Sequence, residues 1–350
     1  MRVAVKKDDI TINKRGRITG HAAGPTLVRR FLRIFPGSLV IGPTARRCDG
    51  FDVVPLSYLD PEDTVIINMD VLDSPSVWNS IYNETGLPAK IMNFVWRPIS
   101  GLVRPQQSAA VALSCAMFPT FANSERTATE VRELVHKEAT PDLERGMRLS
   151  WVNLGFRVDH IKERVEVKTP TVLYPAIYLS PVKRPGLFME IVQRVHQRTP
   201  IEVEMRLAES SLVSEKAMEI SRLPWVWVGP LTATRSGYYE ALAATTAFLA
   251  TAVEESYGLS YVEALGAGVI GVFPDEEWAR ALLPLDYPFF YRDKHTAEAM
   301  LFRAVTAPEE CAAELDTVAG GSFYDWLIAN HSDSTFDREV EATVAEWFGK

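Results

Sequence analysis

Two glutamates eight positions apart bracket the part of this chain best suited to chemistry, Glu255-Ser-Tyr-Gly258-Leu259-Ser-Tyr-Val-Glu263-Ala-Leu-Gly-Ala-Gly268. The run reads as the end of a strand region, a glycine-bearing turn and a helix beginning near Leu259. A helix start leaves backbone N–H groups unpaired and carries partial positive charge, so it can receive a phosphate. Gly258 lets the backbone approach such an anion closely. Glu255 stands before the turn and Glu263 about one helical turn inside it. Carboxylates in those places can accept hydrogen bonds from the vicinal hydroxyls of a sugar. Gly266 and Gly268 close the helix before a strand at 269–273. Taken singly, each glutamate fits an ordinary surface helix start, where acidic residues are favoured. The Gly258-Leu259 turn and the Gly266-x-Gly268 ending, at fixed distances from both, argue for a site.

Elements that position this segment alternate along the chain. Strand-like runs fall at 2–6, 38–42, 64–69 and 90–96, with a further apolar run of strand length at 111–118. They continue at 148–154, 171–174, 201–207, 225–228 and 247–253. Helix-like stretches lie between them, at 26–35, from Asn123 or Ser124 onward, and at 187–197, 215–221 and 238–245. That alternation predicts α/β domains with parallel sheets. The polar stretch 138–146, with Pro141, reads as a linker. The division is then 1–147, 148–325 and a C-terminal helical segment, 326–350, that folds back over either domain. The loop Gly20-His21-Ala-Ala-Gly24-Pro25 precedes the first helix, and Pro25 suits its first turn. Ligands of open parallel sheets sit beyond the carboxyl ends of the strands, so two such domains facing each other make a cleft where a donor and an acceptor can meet. His21 is the sole histidine near the expected cleft. Trp96, Trp225 and Trp227 read as core.

Composition narrows the class. The chain has 350 residues, 47% hydrophobic and 23% charged, as expected of a globular protein of two domains. No apolar run is long enough to span a bilayer, and the N-terminus lacks a secretory core, so the expected location is cytoplasmic. Cys48, Cys115 and Cys311 lie far apart, which fits neither a disulfide framework nor a zinc site. The six histidines form no ligand spacing, so no protein-held metal is expected. Residues 1–50 hold 11 Lys+Arg against 3 Asp+Glu, on a chain of net charge −8. That basic edge suits either an anionic partner or a solvated face.

The Glu255–Gly268 segment resembles the E-x7-E signature of GT-B glycosyltransferases, especially the large retaining family that reads E-x-F-G-L-x-x-x-E-A-x-A-x-G. Tyr257 stands for the aromatic, and Thr251 for a serine common four positions before the first glutamate. The resemblance implies that Glu255 contacts donor-sugar hydroxyls and Glu263 the ribose. The amides of Gly258 and Leu259 then face the diphosphate. Leu179-Ser-Pro-Val-Lys183-Arg-Pro-Gly-Leu187 is similar to the family's G-R-L-S-P-E-K-G loop, whose Arg and Lys neutralise the donor phosphates. Lys183 falls on the lysine, whereas Tyr178 occupies the arginine position, which leaves Arg184 or Arg206 as substitutes. Asn153–Asp159 resembles the N-G-V-D turn opening the second domain. Val226-Trp-Val-Gly229-Pro-Leu231 is similar to the strand before the turn beside the nucleotide base. In the N-terminal half the likeness is one of outline, and Trp96 stands near where the family places a histidine. Gly20, His21, Gly24 and Trp96 are the candidate cleft residues there.

The implied activity is transfer of a sugar from a nucleoside-diphosphate sugar, UDP- or GDP-linked, with retention of configuration. Lys183 and Glu255 are the candidates to act at the reacting centre. No D-x-D motif is present, so no metal is called for and no cofactor is permanently bound. The acceptor is open, with a lipid-linked, metabolite, glycan or nucleic-acid acceptor all compatible, as is a membrane surface. Two rival readings remain: a non-catalytic scaffold with a decayed transferase fold, favoured by Tyr178, and a sugar-nucleotide epimerase. A dehydrogenase fits poorly, since neither half carries G-x-G-x-x-G after its first strand.

Overall fold

A computed structural model describes residues 1–20, 22–99, 101–102, 104–232 and 234–349 of the protein. The chain divides into two units, Met1–Asn153 with Phe336–Lys350, and Leu154–Thr335.

The first unit is built on eight strands: β1 (Arg2–Lys6), β2 (Leu39–Ile41), β3 (Arg46–Arg47), β4 (Asp52–Val54), β5 (Thr64–Asn68), β6 (Lys90–Val95), β7 (Thr120–Ala122) and β8 (Leu149–Trp151). They lie in the order β3-β4-β2-β1-β5-β6-β7-β8, parallel except for the β3 edge. Every residue of β5 is buried, as a central strand covered on both faces requires. The helix Ala23–Ile34 buries Leu27, Val28 and Phe31 on one stripe. Phe31 meets Phe94 edge-on at 4.9 Å between ring centroids. Phe336, from the C-terminal helix Asp333–Phe348, packs against Phe94 at 6.0 Å and Phe121 at 6.3 Å. Burying each of these rings contributes roughly 2–3 kcal/mol. This aromatic cluster is what draws the last helix onto the first unit.

Three expectations are corrected here. The apolar run 111–118 belongs to a helix, Pro105–Met117, that buries Val111, Ala112, Cys115 and Ala116. A short continuous apolar run fits a buried helix face as well as a strand, and periodicity alone does not separate them. The true strand, β7, follows it. Pro141–Gly146, expected as linker, forms a short helix opened by its proline, and Leu143 packs against the same core as Val111. The strand expected at 148–154 to open the second unit is β8, the last strand of the first sheet, with Phe121 opposite Ser150.

In the second unit six strands run parallel: β9 (Thr171–Tyr174), β10 (Glu202–Leu207), β11 (Val226–Pro230), β12 (Ala247–Leu249), β13 (Ile270–Pro274) and β14 (Phe290–Tyr291). Their order is β11-β10-β9-β12-β13-β14. The helix Pro185–Arg198 covers β9 with Phe188, Ile191, Val192 and Val195. Trp227 does not join the core. It lies on the edge strand β11 and is 48% exposed. Among the described residues, no helix is long and apolar enough to cross a membrane.

Candidate functional site

The chain order of the second sheet reverses between β9 and β12. Strands after β9 add first to one side and later to the other, so the loops leaving these two neighbours splay apart above the sheet. Such a switch point is where open α/β sheets bind ligands. Here the loop after β9 carries Lys183 and the loop after β12 carries Glu255. The two side chains form an ion pair across 72 positions of sequence.

Backbone and side chains stitch the loops together. Thr251 Oγ1 donates to the Lys183 carbonyl at 2.7 Å, and the Val253 N–H donates to the Val182 carbonyl at 2.9 Å. Ser260 Oγ donates to the Pro175 carbonyl at 2.8 Å. Glu255 Oε1 also accepts from the Tyr261 hydroxyl at 2.9 Å. Burial and the neighbouring Glu255 carboxylate hold the Tyr261 phenol well above its usual range, so it stays a donor. Side-chain exposures of 20% for Lys183 and 16% for Glu255 leave the pair reachable from solvent.

Gly258 caps the helix Leu259–Gly266 in a left-handed conformation, φ 82°. A Cβ there would stand 2.8 Å from the Tyr261 ring, so glycine is required on two counts. At the far end Gly268 is again left-handed. Its N–H bonds to the Leu265 carbonyl and that of Val269 to Ala264, the paired closure that ends a helix at glycine. Gly266 accommodates Phe156, whose ring a Cβ would meet at 2.5 Å.

Glu263 has a different partner. It is 4% exposed and pairs with Arg235, the first residue of the helix Arg235–Ala243. Burial raises its pKa, and the Arg235 guanidinium pulls the other way. Arg235 stacks over Tyr238 at 5.1 Å and keeps 40% of its side chain exposed. Nothing in the local sequence marks Arg235, because its link to Glu263 spans 28 positions and exists only once the helices pack.

The structure brings Lys183, Glu255, Gly258 and Leu259 together, with Glu263 one turn behind them. The two substitute arginines have surroundings of their own. Arg206 pairs with Glu204 and lies over Trp227 at 4.9 Å. Gly229 sits opposite Arg206 in the sheet and makes room for the Trp227 ring. Arg184, left-handed at φ 47°, lines a separate depression of about 540 Å³ with Lys216 and Lys294.

The first sheet has its own reversal, between β1 and β5. A cavity of about 370 Å³ opens beyond the carboxyl ends of β1, β5 and β6, with Trp96 and Ile99 among its apolar walls and Asp8, Asp9 and Asp70 among its polar ones. Trp96 donates its indole N–H to the Met69 carbonyl at 3.0 Å, and a Cβ on Gly24 would meet its ring at 3.4 Å. Lys7 pairs with Asp70 at 3.0 Å. Burial lowers the pKa of Lys6, but Asp73 and Asp8 outweigh it and the net shift is upward. Gly20 is left-handed and its carbonyl accepts from Arg29 at 3.0 Å. His21 lies outside the described residues. Part of the basic N-terminal edge is tied internally: Arg30 and Arg33 both pair with Asp337, and Arg17 with Asp49.

Two units of parallel α/β build with these topologies define the GT-B fold, and solved structures agree. Anabaena HepE, crystallised with UDP-glucose, superposes with a TM-score of 0.68 at 14% identity, over 99% of this chain and 100% of that one. The trehalose-6-phosphate synthase OtsA superposes at 0.70 with 11% identity, over 99% of each chain. TarM matches at 0.61 with 12% identity over 83% of this chain, which spans 56% of TarM's length. At these identities the likeness is one of fold. No protein-family model matches the sequence, and no curated protein matches it.

Proposed function

We propose that the protein is a glycosyltransferase that moves a sugar from a nucleoside-diphosphate sugar to a hydroxyl-bearing acceptor, with retention and without a metal. The observation that carries this reading is the meeting of Lys183 and Glu255 at the switch point of the second sheet, beside the open helix start at Gly258–Leu259. Neighbours of the same fold include one crystallised with UDP-glucose, which supports a UDP-sugar donor.

In the free protein Lys183 is neutralised by Glu255. A bound diphosphate offers the ammonium a stronger partner, and Glu255 is then released to accept hydrogen bonds from the sugar hydroxyls. Glu263, held in place by Arg235, takes the ribose hydroxyls. Transfer breaks the bond from the anomeric carbon to the β-phosphate oxygen, and the electron pair leaves with the diphosphate. Lys183 and the amides at Gly258 and Leu259 stabilise that charge as it develops. The acceptor oxygen bonds to the anomeric carbon from the same face, and its proton passes to the departing phosphate. The cavity of the first unit is the proposed acceptor side, in a cytoplasmic protein.

A thermal-shift screen against UDP, GDP and ADP and their sugar conjugates, without metal, tests this. A nucleotide at a hundred times its dissociation constant adds about 2.7 kcal/mol of stability. A shift with one base, abolished by Lys183→Ala, is the expected outcome. Absence of any shift at millimolar nucleotide would sink the reading. Turnover of the matching sugar nucleotide then separates an enzyme from a scaffold.

A further inference from the structure

A buried hydrogen-bond chain runs from the Gly258 turn to the places where the polypeptide passes between the units. Tyr257, 4% exposed, sits between Glu255 and Gly258 in sequence. Its hydroxyl accepts from the Gly155 N–H at 3.0 Å and lies 2.8 Å from His331 Nδ1. His331, 1% exposed, has Nε2 at 2.9 Å from the Leu282 carbonyl. A carbonyl can only accept, so Nε2 carries the proton. Nδ1 is then the acceptor for the Tyr257 O–H. Burial keeps the ring neutral, as this arrangement needs, with its pKa lowered to about 4.

Gly155 and His331 belong to two segments that are themselves locked together. The Phe156 N–H donates to the His331 carbonyl at 2.8 Å and the Asp333 N–H to the Phe156 carbonyl at 3.0 Å. Arg157 pairs with Asp333 at 3.0 Å. Gly155 is left-handed, and a Cβ there would come within 2.5 Å of Ser332. These segments flank the two crossings, Asn153 to Leu154 and Thr335 to Phe336. The Phe156 ring also packs on Gly266, so the helix beginning at Gly258 grips the crossing a second time. A phenylalanine, which the resembled signature carries at position 257, lacks the hydroxyl and would leave both the Gly155 N–H and His331 Nδ1 unmet.

We propose that Tyr257 and His331 are positioning residues that fasten the donor loop to the paired crossing segments, so that nucleotide bound at Gly258–Leu259 stiffens residues 155–157 and 331–333. The proposal rests on the donor-site reading above. Hydrogen–deuterium exchange on the full chain, with UDP, GDP and ADP in turn at saturation, tests it in wild type and in Tyr257→Phe. In wild type one nucleotide is expected to slow exchange both at Gly258–Leu259 and at 155–157. In Tyr257→Phe the first protection persists at saturation and the second is lost, while nucleotide affinity falls roughly fivefold, the worth of one hydrogen bond. His331→Gln, which can keep both bonds, should retain the second protection, and His331→Leu should lose it. Protection at 155–157 that survives in both Tyr257→Phe and His331→Leu would overturn the proposal, as would protection confined to Gly258–Leu259 in wild type. If no nucleotide protects Gly258–Leu259 in wild type, the donor-site reading itself fails and takes this proposal with it.

Discussion

The two sheets reverse their chain order in the same way, yet the places above the reversals carry different chemistry. Beyond β9 and β12 stand Lys183 and Glu255, paired, part-exposed and next to a glycine-capped helix start. Beyond β1 and β5 stand several aspartates whose balancing lysines lie behind them, beside an indole and an apolar wall. One reversal is equipped to hold an anion; the other is equipped to hold hydroxyls or an uncharged ring. Topology therefore locates both reversals, and side chains decide what each can hold.

The sharpest way to break this comparison is to remove the cation. Lys183→Ala should lower kcat about a hundred- to a thousandfold, the usual loss when one charge-stabilising donor is deleted, with stability little changed. Steady-state turnover of the sugar nucleotide checks it, and a loss below tenfold would move the anion-holding role elsewhere.

Glu263→Ala should act on folding as well as binding. It leaves Arg235 unpaired beside a buried gap and should cost roughly 3 kcal/mol, the low end for breaking a buried pair because Arg235 still reaches solvent. Urea unfolding measures this. The same change at Glu255 should cost far less stability and more turnover, which would separate the open carboxylate from the buried one.

A third test uses pH. His331 has a folded pKa of about 4, below its unfolded value of 6.5. The unfolded chain therefore binds the extra proton between those values, and stability falls as pH drops from 6.5 towards 4, by about 3 kcal/mol at most. Unfolding midpoints across that window should lose this slope in His331→Gln. The first unit offers no equivalent buried neutral histidine among its described residues.

The smallest effect is expected in the first unit. Asp70→Asn weakens the pairing with Lys7 and the acceptance of the Asp8 N–H, for about 1 kcal/mol of stability. It should leave nucleotide binding unchanged while altering the acceptor KM. A change in nucleotide affinity instead would erase the division of labour between the two reversals.

Much of the second unit was legible in the sequence because its signals are local. The strand at 171–174 and the helix start at Leu259 lie where spacing put them. A helix was expected to start at Asn123 or Ser124, and its cap is Ser124, which accepts from the Thr127 N–H. Where the signal was ambiguous locally, packing decided. The run 111–118 became a helix because β6 and the helix Glu125–Glu138 offer its apolar face a common core. Strand 149–151 joined the first sheet because β7 left it an open edge.

What the sequence by itself determined is the alternation of elements, the glycine turn at 258 and the residue types able to hold a phosphate and a sugar. These follow from backbone preferences and side-chain chemistry that act within a few residues. Only the tertiary structure decided that Lys183 meets Glu255, that Glu263 turns inward to Arg235, and that Tyr257 reaches Gly155 and His331. Each of those contacts joins positions tens of residues apart, and such distances close only when parallel strands bring their loops to one end of a sheet.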